Sequence, residues 1–322
     1  VTLSTRPLGA TGVPVTAIGL GCMSASWAYR LDPQDDDTSV ATIGAALDHG
    51  VTHLDTASMY GPHHNERLVG QAIRGRRDSV FLASKAGLVV EDPVQRVVTR
   101  DGRPETLLRT ADESLERLGT DVIDLYYLHR VDPAVPVEES WGALSSLVTA
   151  GKVRHLGLSE CGVDELARAH AIHPVAALQS ELSAWTRDPI RDGQLGWCRD
   201  NGAAFVAFGV LGRGFLTGKL AVGTTFPVGD FRRTNPRFTP AAMTANGVLV
   251  ETIARIAADH DALPAQVLVA WALAQGPHVL AIPGTKRVGY LTENVGGDGL
   301  QLTADDLATI DALPAAVGAR YG

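Results

Sequence analysis

GVTHLDTASMYGPHHNERLVG, residues 50–70, reads in one run as a strand, a loop and the start of a helix. Residues 51–54 are short, apolar and partly β-branched, which suits a buried strand. Asp55 follows where such a strand emerges, and Tyr60 precedes Gly61-Pro62, a turn signal. Asn65 and Glu66 then open a helix whose apolar face is Leu68, Val69, Ala72 and Ile73. A carboxylate and a phenol thus share one strand-to-helix loop. Alone, they would read as a helix cap and a packed ring. The rest of the chain gives them weight.

The same unit recurs on both sides. Upstream, residues 1–16 read as a hairpin turning at Gly9–Gly12, followed by a strand at 15–21 and a helix from Asp37 or Thr38 to Asp48. Downstream, buried strands are expected at 79–84, 122–128, 153–158, 176–179, 204–208 and 279–282. Helices are expected at 104–118, 137–150, 163–170, 194–201, 241–259, 264–275, 288–295 and 304–313. A polar loop, 91–103, and a long Gly-, Arg- and Phe-containing loop, 209–240, complete the chain.

Eight β/α units with no linker or repeat imply α/β architecture: a closed (β/α)8 TIM barrel with an N-terminal β-hairpin and extra C-terminal helices. It is expected to be one domain over 1–322. An open doubly wound sheet is the competitor. The chain opens with no dinucleotide fingerprint, since Gly19-Leu20-Gly21-Cys22-Met23-Ser24 breaks at the third glycine.

Composition narrows the function classes. Hydrophobic residues make up 45% of the 322, enough for a sizeable core. With 28 basic against 36 acidic side chains, a net charge of −8 and no like-charge block, a nucleic-acid or anionic-membrane surface is not expected. No apolar run approaches the roughly 18–20 residues of a membrane span, and VTLSTRPLGATG lacks a signal-peptide core. Cys22, Cys161 and Cys198 are scattered, which suggests free thiols in a reducing, cytoplasmic compartment. No HxH or HExxH spacing occurs and no metal is expected; His63-His64 reads as a solvated loop.

Barrel chemistry sits at the C-terminal rim of the strands. Four successive rim positions here are Asp55, Lys85, His129 and Ser159, with Tyr60 just beyond Asp55. Each alone could be a cap or a solvated edge, but strand ends of one barrel converge on one mouth. A lysine ammonium near a tyrosine lowers the phenol's pKa, and a neighbouring carboxylate keeps a buried lysine charged. A histidine can hydrogen-bond a carbonyl oxygen and share its developing charge. Such a group suits delivering a proton to an oxygen that is becoming an alkoxide. The hydride must come from a cofactor. Two loops could hold it: Leu211–Gly218, rich in glycine, and Pro283–Arg287 at a helix entry. Lys286 and Arg287 would suit a 2′-phosphate and favour NADPH over NADH.

At this point the sequence resembles the aldo-keto reductase family over nearly its whole length, in a bacterial-type branch. DTASMYGPHHNERLVG, LASK, IDLYYLHRVDP, GKVRHLGLSE, AFGVLGRGFLTGKL and IPGTKRVGYLTENV fall in family order. The resemblance implies NADPH-dependent reduction of an aldehyde or ketone. It makes Tyr60 the proton donor, Lys85 its activator, Asp55 the partner of Lys85, and His129 the orienter. It implies that Ser159 and Gln179 hold the nicotinamide amide and that Phe208 stacks on the ring. Leu211, Gly212 and Arg213 would line the pyrophosphate. Gly284, Thr285, Lys286, Arg287, Glu293 and Asn294 would hold the adenosine end. Gly21, Met23 and Asp55 would lie near the nicotinamide ribose and the substrate floor. Three departures stand out: Glu160 where many members carry Asn, Phe208-Gly209-Val210 for Tyr-Ser-Pro, and Tyr290 where Arg or Gln is common.

Trp27, Tyr29, Met59 and Trp185 could form an apolar substrate wall. The loop 226–238, with Arg232, Arg233 and Arg237, could close over the cofactor or recognise an anionic substrate. Two alternatives share the fold: a specialised keto-sugar or natural-product ketoreductase, and a cofactor-loaded regulatory binding module with slow turnover. The sequence leaves the oligomeric state open.

Overall fold

The computed structural model describes residues 2–29, 35–94 and 97–321. β1 (Thr5–Pro7) and β2 (Pro14–Thr16) form the N-terminal hairpin, turned by a short helix at Gly9–Thr11. Next come β3 (Leu20–Gly21), β4 (His53–Asp55) and β5 (Phe81–Ala86). β6 (Leu88–Asp92) and β7 (Val97–Arg100) follow. β8 (Ile123–Leu128), β9 (Val153–Ser159) and β10 (Ala177–Glu181) come next, and β11 (Ala204–Phe208) and β12 (Val279–Ala281) complete the series.

Among the described residues, eight strands pair in parallel in the order β3, β4, β5, β8, β9, β10, β11, β12. The first and last close on each other. Gly19 N donates to Ala281 O at 2.8 Å and Ala281 N to Ala17 O at 2.9 Å. Parallel bridges join Ile18 to Ala281 and Gly21 to Gly284. The sheet is therefore the expected barrel and not an open doubly wound sheet.

Side chains alternate across a strand, so every second residue points inward. Phe81, Ala83, Leu125, Tyr127, Ala177, Ala204, Val206 and Leu280 fill the interior, with Leu8 and Val15 of the hairpin packed among them. The intervening residues, such as Leu82, Tyr126 and Leu178, meet the helices in the larger outer core. The helix Val137–Thr149 buries Trp141, Leu144 and Leu147 there, and Pro264–Ala274 is buried almost all round. Each fully buried leucine contributes roughly 1.5–3 kcal/mol.

The helix Pro104–Leu118 has proline in its first turn and Gly119 at φ 64° after its end, as its sequence predicts. Three expectations change. Val15 and Thr16 belong to the hairpin, so the first barrel strand is shorter than 15–21. The expected polar loop 91–103 largely continues β6 and β7, an antiparallel pair whose short apolar runs, Leu88–Val90 and Val97-Val98, are flanked by charged residues; residues 95 and 96 lie outside the described set. The helix expected at 241–259 divides at Asn246, whose side chain binds the backbone of Val317 instead of continuing a helical surface.

Candidate active site

Inward alternation sets the rim. Asp55 ends β4 two residues after inward His53, and Lys85 follows inward Phe81 and Ala83 on β5. His129 comes directly after β8, two residues beyond inward Tyr127. Ser159 ends β9, Gln179 lies in β10, and Phe208 ends β11. One parity on successive strands therefore brings side chains far apart in sequence to one mouth.

Tyr60 reaches this mouth on a loop fastened on both sides. Ser58 N and Oγ donate to Lys85 O at 3.2 and 2.9 Å, and Asn65 N donates to Tyr60 O at 3.1 Å. Asn65 Nδ2 donates to Cys22 O at 2.9 Å and Ser26 Oγ at 2.7 Å, while Thr56 Oγ1 donates to Asn65 Oδ1 at 2.7 Å. Gly61, at φ 71°, passes so close that an added Cβ would lie 2.6 Å from Ser26 Oγ. Glu66 is wholly buried against Arg117 at 2.7 Å and Ser84 Oγ at 2.6 Å. Asn65 and Glu66, which the sequence presents as helix-opening residues, are thus the clamps of the Tyr60 loop.

Lys85 is fully buried. Its Nζ hydrogen-bonds Asp55 Oδ1, donates to Thr56 O at 2.8 Å, and lies 5.3 Å from the centre of the Tyr60 ring. Burial alone would discharge the lysine, but Asp55 and Tyr60 together hold its pKa above the ordinary value. The ammonium therefore stays charged. The His129 ring meets the Tyr60 ring edge-on, with centroids 5.8 Å apart.

The phenol departs from expectation. Burial pushes the Tyr60 pKa above its ordinary value, and the opposing pull of Lys85, through charge and hydrogen bonding, is the smaller effect. Tyr60 is therefore protonated at neutral pH. Burial, followed by the charges of Arg130 and Lys85, drives His129 well below its ordinary value and keeps its ring neutral. Cys22, beneath Asp55, is pushed up to about 12 by burial and is inert as a thiolate.

A cavity of about 820 Å³ opens over this group. Asp55, Tyr60 and His129 line one end, with Gly21, Met23, Ser159, Gln179 and Phe208. Leu211 and Arg213 line the middle; Gly212 is buried just behind them. Gly284, Thr285, Lys286, Arg287, Glu293 and Asn294 line the far end. Lys219 lies there too, paired with Glu293 at 2.5 Å and seated 4.0 Å over the Tyr290 ring. The glycines are needed: an added Cβ on Gly21 would lie 2.8 Å from Ile282 O, and on Gly284 3.0 Å from Gly21 O. Buried Ser24 Oγ and Asn294 Nδ2 have no hydrogen-bond partner among the described residues, so both can serve a bound ligand. This long cleft, polar at both ends, fits a dinucleotide.

Other expectations are redirected. Gln179 Nε2 donates to Asp55 Oδ2 at 2.7 Å, so its amide also orients the carboxylate that holds Lys85. Arg213 is engaged by Glu181 at 2.8 Å and lies between Phe208 and Phe231, 5.4 and 5.3 Å from their centres. Trp27, Tyr29 and Met59 line the cavity, but Trp185 does not. Trp185 stacks on Phe215 at 5.4 Å and meets Phe238 at 5.9 Å, because residues 210–238 fold back over β10 and cover it. Within that loop, Phe231 N bonds Ala28 O at 2.9 Å, so the segment does cross the mouth. Arg232 is paired with Asp230 at 2.6 Å, and Arg237 with Thr186 Oγ1 at 2.7 Å.

Several residues at the mouth escaped the sequence reading. Leu88 and Val98 of the β6–β7 pair, Arg130, Phe231 and Tyr321 all line the cavity. Glu160, at φ 54°, binds Arg320 and accepts from Glu181 N at 2.8 Å. Burial pushes the Glu181 carboxyl up, but Arg213, Arg320 and Arg237 together hold it below the usual range. Among the described residues no group of three or more His, Cys, Asp or Glu could hold a metal ion, and no helix is long and apolar enough to cross a membrane.

Barrel and rim together define a (β/α)8 protein whose mouth carries a buried acid–base group beside a dinucleotide-sized cleft. The chain belongs to the aldo/keto reductase family, whose profile matches residues 17–315, and is an oxidoreductase. It is 40% identical over 319 residues to probable aldo-keto reductase 1 of Glycine max, covering 98% of this chain and 90% of that one. It is 40% identical over 331 residues to aldo-keto reductase yakc, designated NADP(+), of Schizosaccharomyces pombe, covering 100% and 95%. Among solved structures, glycerol dehydrogenase AKR11B4 of Gluconobacter oxydans superimposes with a TM-score of 0.83 at 32% identity, covering 95% of this chain and 94% of that one. An aldo/keto reductase of Klebsiella pneumoniae in complex with NADP and acetate gives a TM-score of 0.73 at 28% identity, covering 96% and 95%.

Proposed function

We propose that this protein reduces an aldehyde or ketone to the alcohol with NADPH, acting as a single barrel unit. The observation that carries the reading is the contact set at one rim: Lys85 between Asp55 and Tyr60, with His129 against the Tyr60 ring. The NADP named for the fission-yeast and Klebsiella relatives supports the cofactor, as does the basic far end of the cleft. Three free, buried cysteines support a reducing, cytoplasmic setting.

When bound, NADPH supplies the hydride. Tyr60, protonated at neutral pH, donates its phenolic proton to the carbonyl oxygen. The Lys85 ammonium stabilises the phenolate left behind, and Asp55, oriented by Gln179, keeps that ammonium charged in a site that excludes water. Neutral His129 orients the carbonyl through a ring N–H. Ser159 and Gln179 would hold the nicotinamide amide, and Phe208 would stack on the ring. Leu211, Gly212 and Arg213 would line the pyrophosphate; Gly284, Thr285, Lys286, Arg287, Glu293 and Asn294 would hold the adenosine end. Trp27, Tyr29 and Met59 wall the substrate.

Tyr60→Phe tests this directly. NADPH binding, followed by quenching of tryptophan fluorescence, is expected to persist, while turnover of a simple aldehyde falls by about 10²–10⁴. Near-normal turnover would remove Tyr60 from the role.

A further inference from the structure

Arg130 follows His129 and lines the cavity, half-buried. Its Nη1 donates to His129 O at 2.6 Å and to Ser159 Oγ at 3.1 Å. Both acceptors are neutral and both use the same nitrogen. No carboxylate of a described residue pairs with it, which sets it apart from its neighbours: Arg213 and Arg237 face Glu181, Arg232 faces Asp230, and Arg320 faces Glu160 and Glu181.

A guanidinium carries five N–H donors in a fixed fork. Here Nε and Nη2 have no acceptor among the described residues, and these two donors form the edge that takes a carboxylate bidentately. The charge sits at the reacting end of the cleft, since it bears on both Tyr60 and His129. Lys286 and Arg287 serve the opposite end, beyond β12. Trp27, Met59, Leu88 and Val98 give the same cavity apolar walls. A charge against such walls gains more from an ion partner than it would in water.

We propose that Arg130 recognises a carboxylate carried by the carbonyl substrate, so that the site takes short oxo-acids in preference to uncharged aldehydes. The proposal rests on the reductase reading above and names its substrate class. Hydride and proton go to the carbonyl carbon and oxygen, and the carboxylate is unchanged.

The test compares kcat/KM for 4-oxobutanoate with that for its methyl ester, using NADPH, in the wild type, Arg130→Gln and Arg130→Lys. The wild type is expected to favour the acid. Arg130→Gln is expected to lower the acid-to-ester ratio by about 10- to 100-fold, the worth of a lost charge-assisted hydrogen bond. Arg130→Lys, which keeps the charge without the fork, is expected to restore part of it. Any disturbance of Ser159 weakens both substrates and cancels in the ratio. Succinate is expected to inhibit wild-type ester reduction competitively, a readout that needs no variant. A wild-type ratio near one, a ratio unmoved by Arg130→Gln, or no competition by succinate overturns this inference while leaving the reductase reading intact. Failure of the wild type to reduce either compound overturns both.

Discussion

His53 lies inside the barrel, two residues below Asp55, with both ring nitrogens buried and without a hydrogen-bond partner among the described residues, and its ring edge-on to Phe81 at 5.4 Å. Burial is the main cause that lowers its pKa from 6.5 to about 4. Between those values an unfolded chain binds a proton that the folded chain refuses. Its contribution to stability is therefore full above pH 6.5 and is lost as pH falls toward 4. The shift is worth about 3 kcal/mol in all. Neutral, buried His129 acts in the same direction. Urea unfolding between pH 7 and pH 4.5 is expected to show this loss. In His53→Asn the slope over that interval should fall by about one proton, or about 1.4 kcal/mol per pH unit. An unchanged slope would mean that the imidazole titrates as it does in water.

Strand ends make the site legible in the sequence. Asp55, Lys85, His129 and Ser159 end consecutive apolar runs, and a barrel gathers such ends at one rim. What could not be read were contacts between loops. The roles of Asn65 and Glu66 depend on Ser26, Ser84 and Arg117, up to 51 residues away. The β6–β7 pair is hard to read because its apolar runs, Leu88–Val90 and Val97-Val98, do not alternate and are bounded by Glu91, Asp92 and Arg100. Arg130 directly follows the more conspicuous His129, and its bond to Ser159, 29 residues on, is not legible in the sequence. Tyr60's pKa could not be inferred from Lys85 alone, because the competing effect, burial, is a property of the fold. At the loop after β12, by contrast, sequence spacing places two basic side chains beside a glycine turn, and both line the cleft. Replacing Lys286 and Arg287 together by alanine is expected to weaken NADPH by about 10- to 100-fold, as for lost charge-assisted bonds, and NADH far less. Fluorescence titration with each cofactor reads the difference. Equal weakening would show that the 2′-phosphate is held elsewhere, with Lys219 the next residue to test.

Over the whole molecule, closure is done twice. The first barrel closure is the seam of Gly19 and Gly21 against Ala281 and Gly284, where backbone meets backbone. The second is the C-terminal segment, drawn back across the rim. Arg187 binds the carbonyls of Ile310, Asp311 and Leu313, Asn246 clamps Val317, and Asn235 Nδ2 donates to Arg320 O at 2.9 Å. Arg320 then pairs with Glu160, next to Ser159, and with Glu181 at 3.1 Å. Two carboxylates, Glu160 and Glu181, and three guanidinia, Arg213, Arg237 and Arg320, thereby share a largely dry cluster. Removing one cation leaves Glu160, whose side chain is only 12% exposed, without its counter-charge. Arg320→Met is therefore expected to cost about 3 kcal/mol, at the low end for breaking a buried pair because Arg320 is itself 22% exposed. Glu160→Gln in the same background should recover part of that loss. The double-mutant cycle by chemical denaturation is expected to give a coupling of roughly 1–3 kcal/mol. Strict additivity would mean that the tail is held by its backbone contacts alone and that the Glu160 at this rim owes nothing to Arg320.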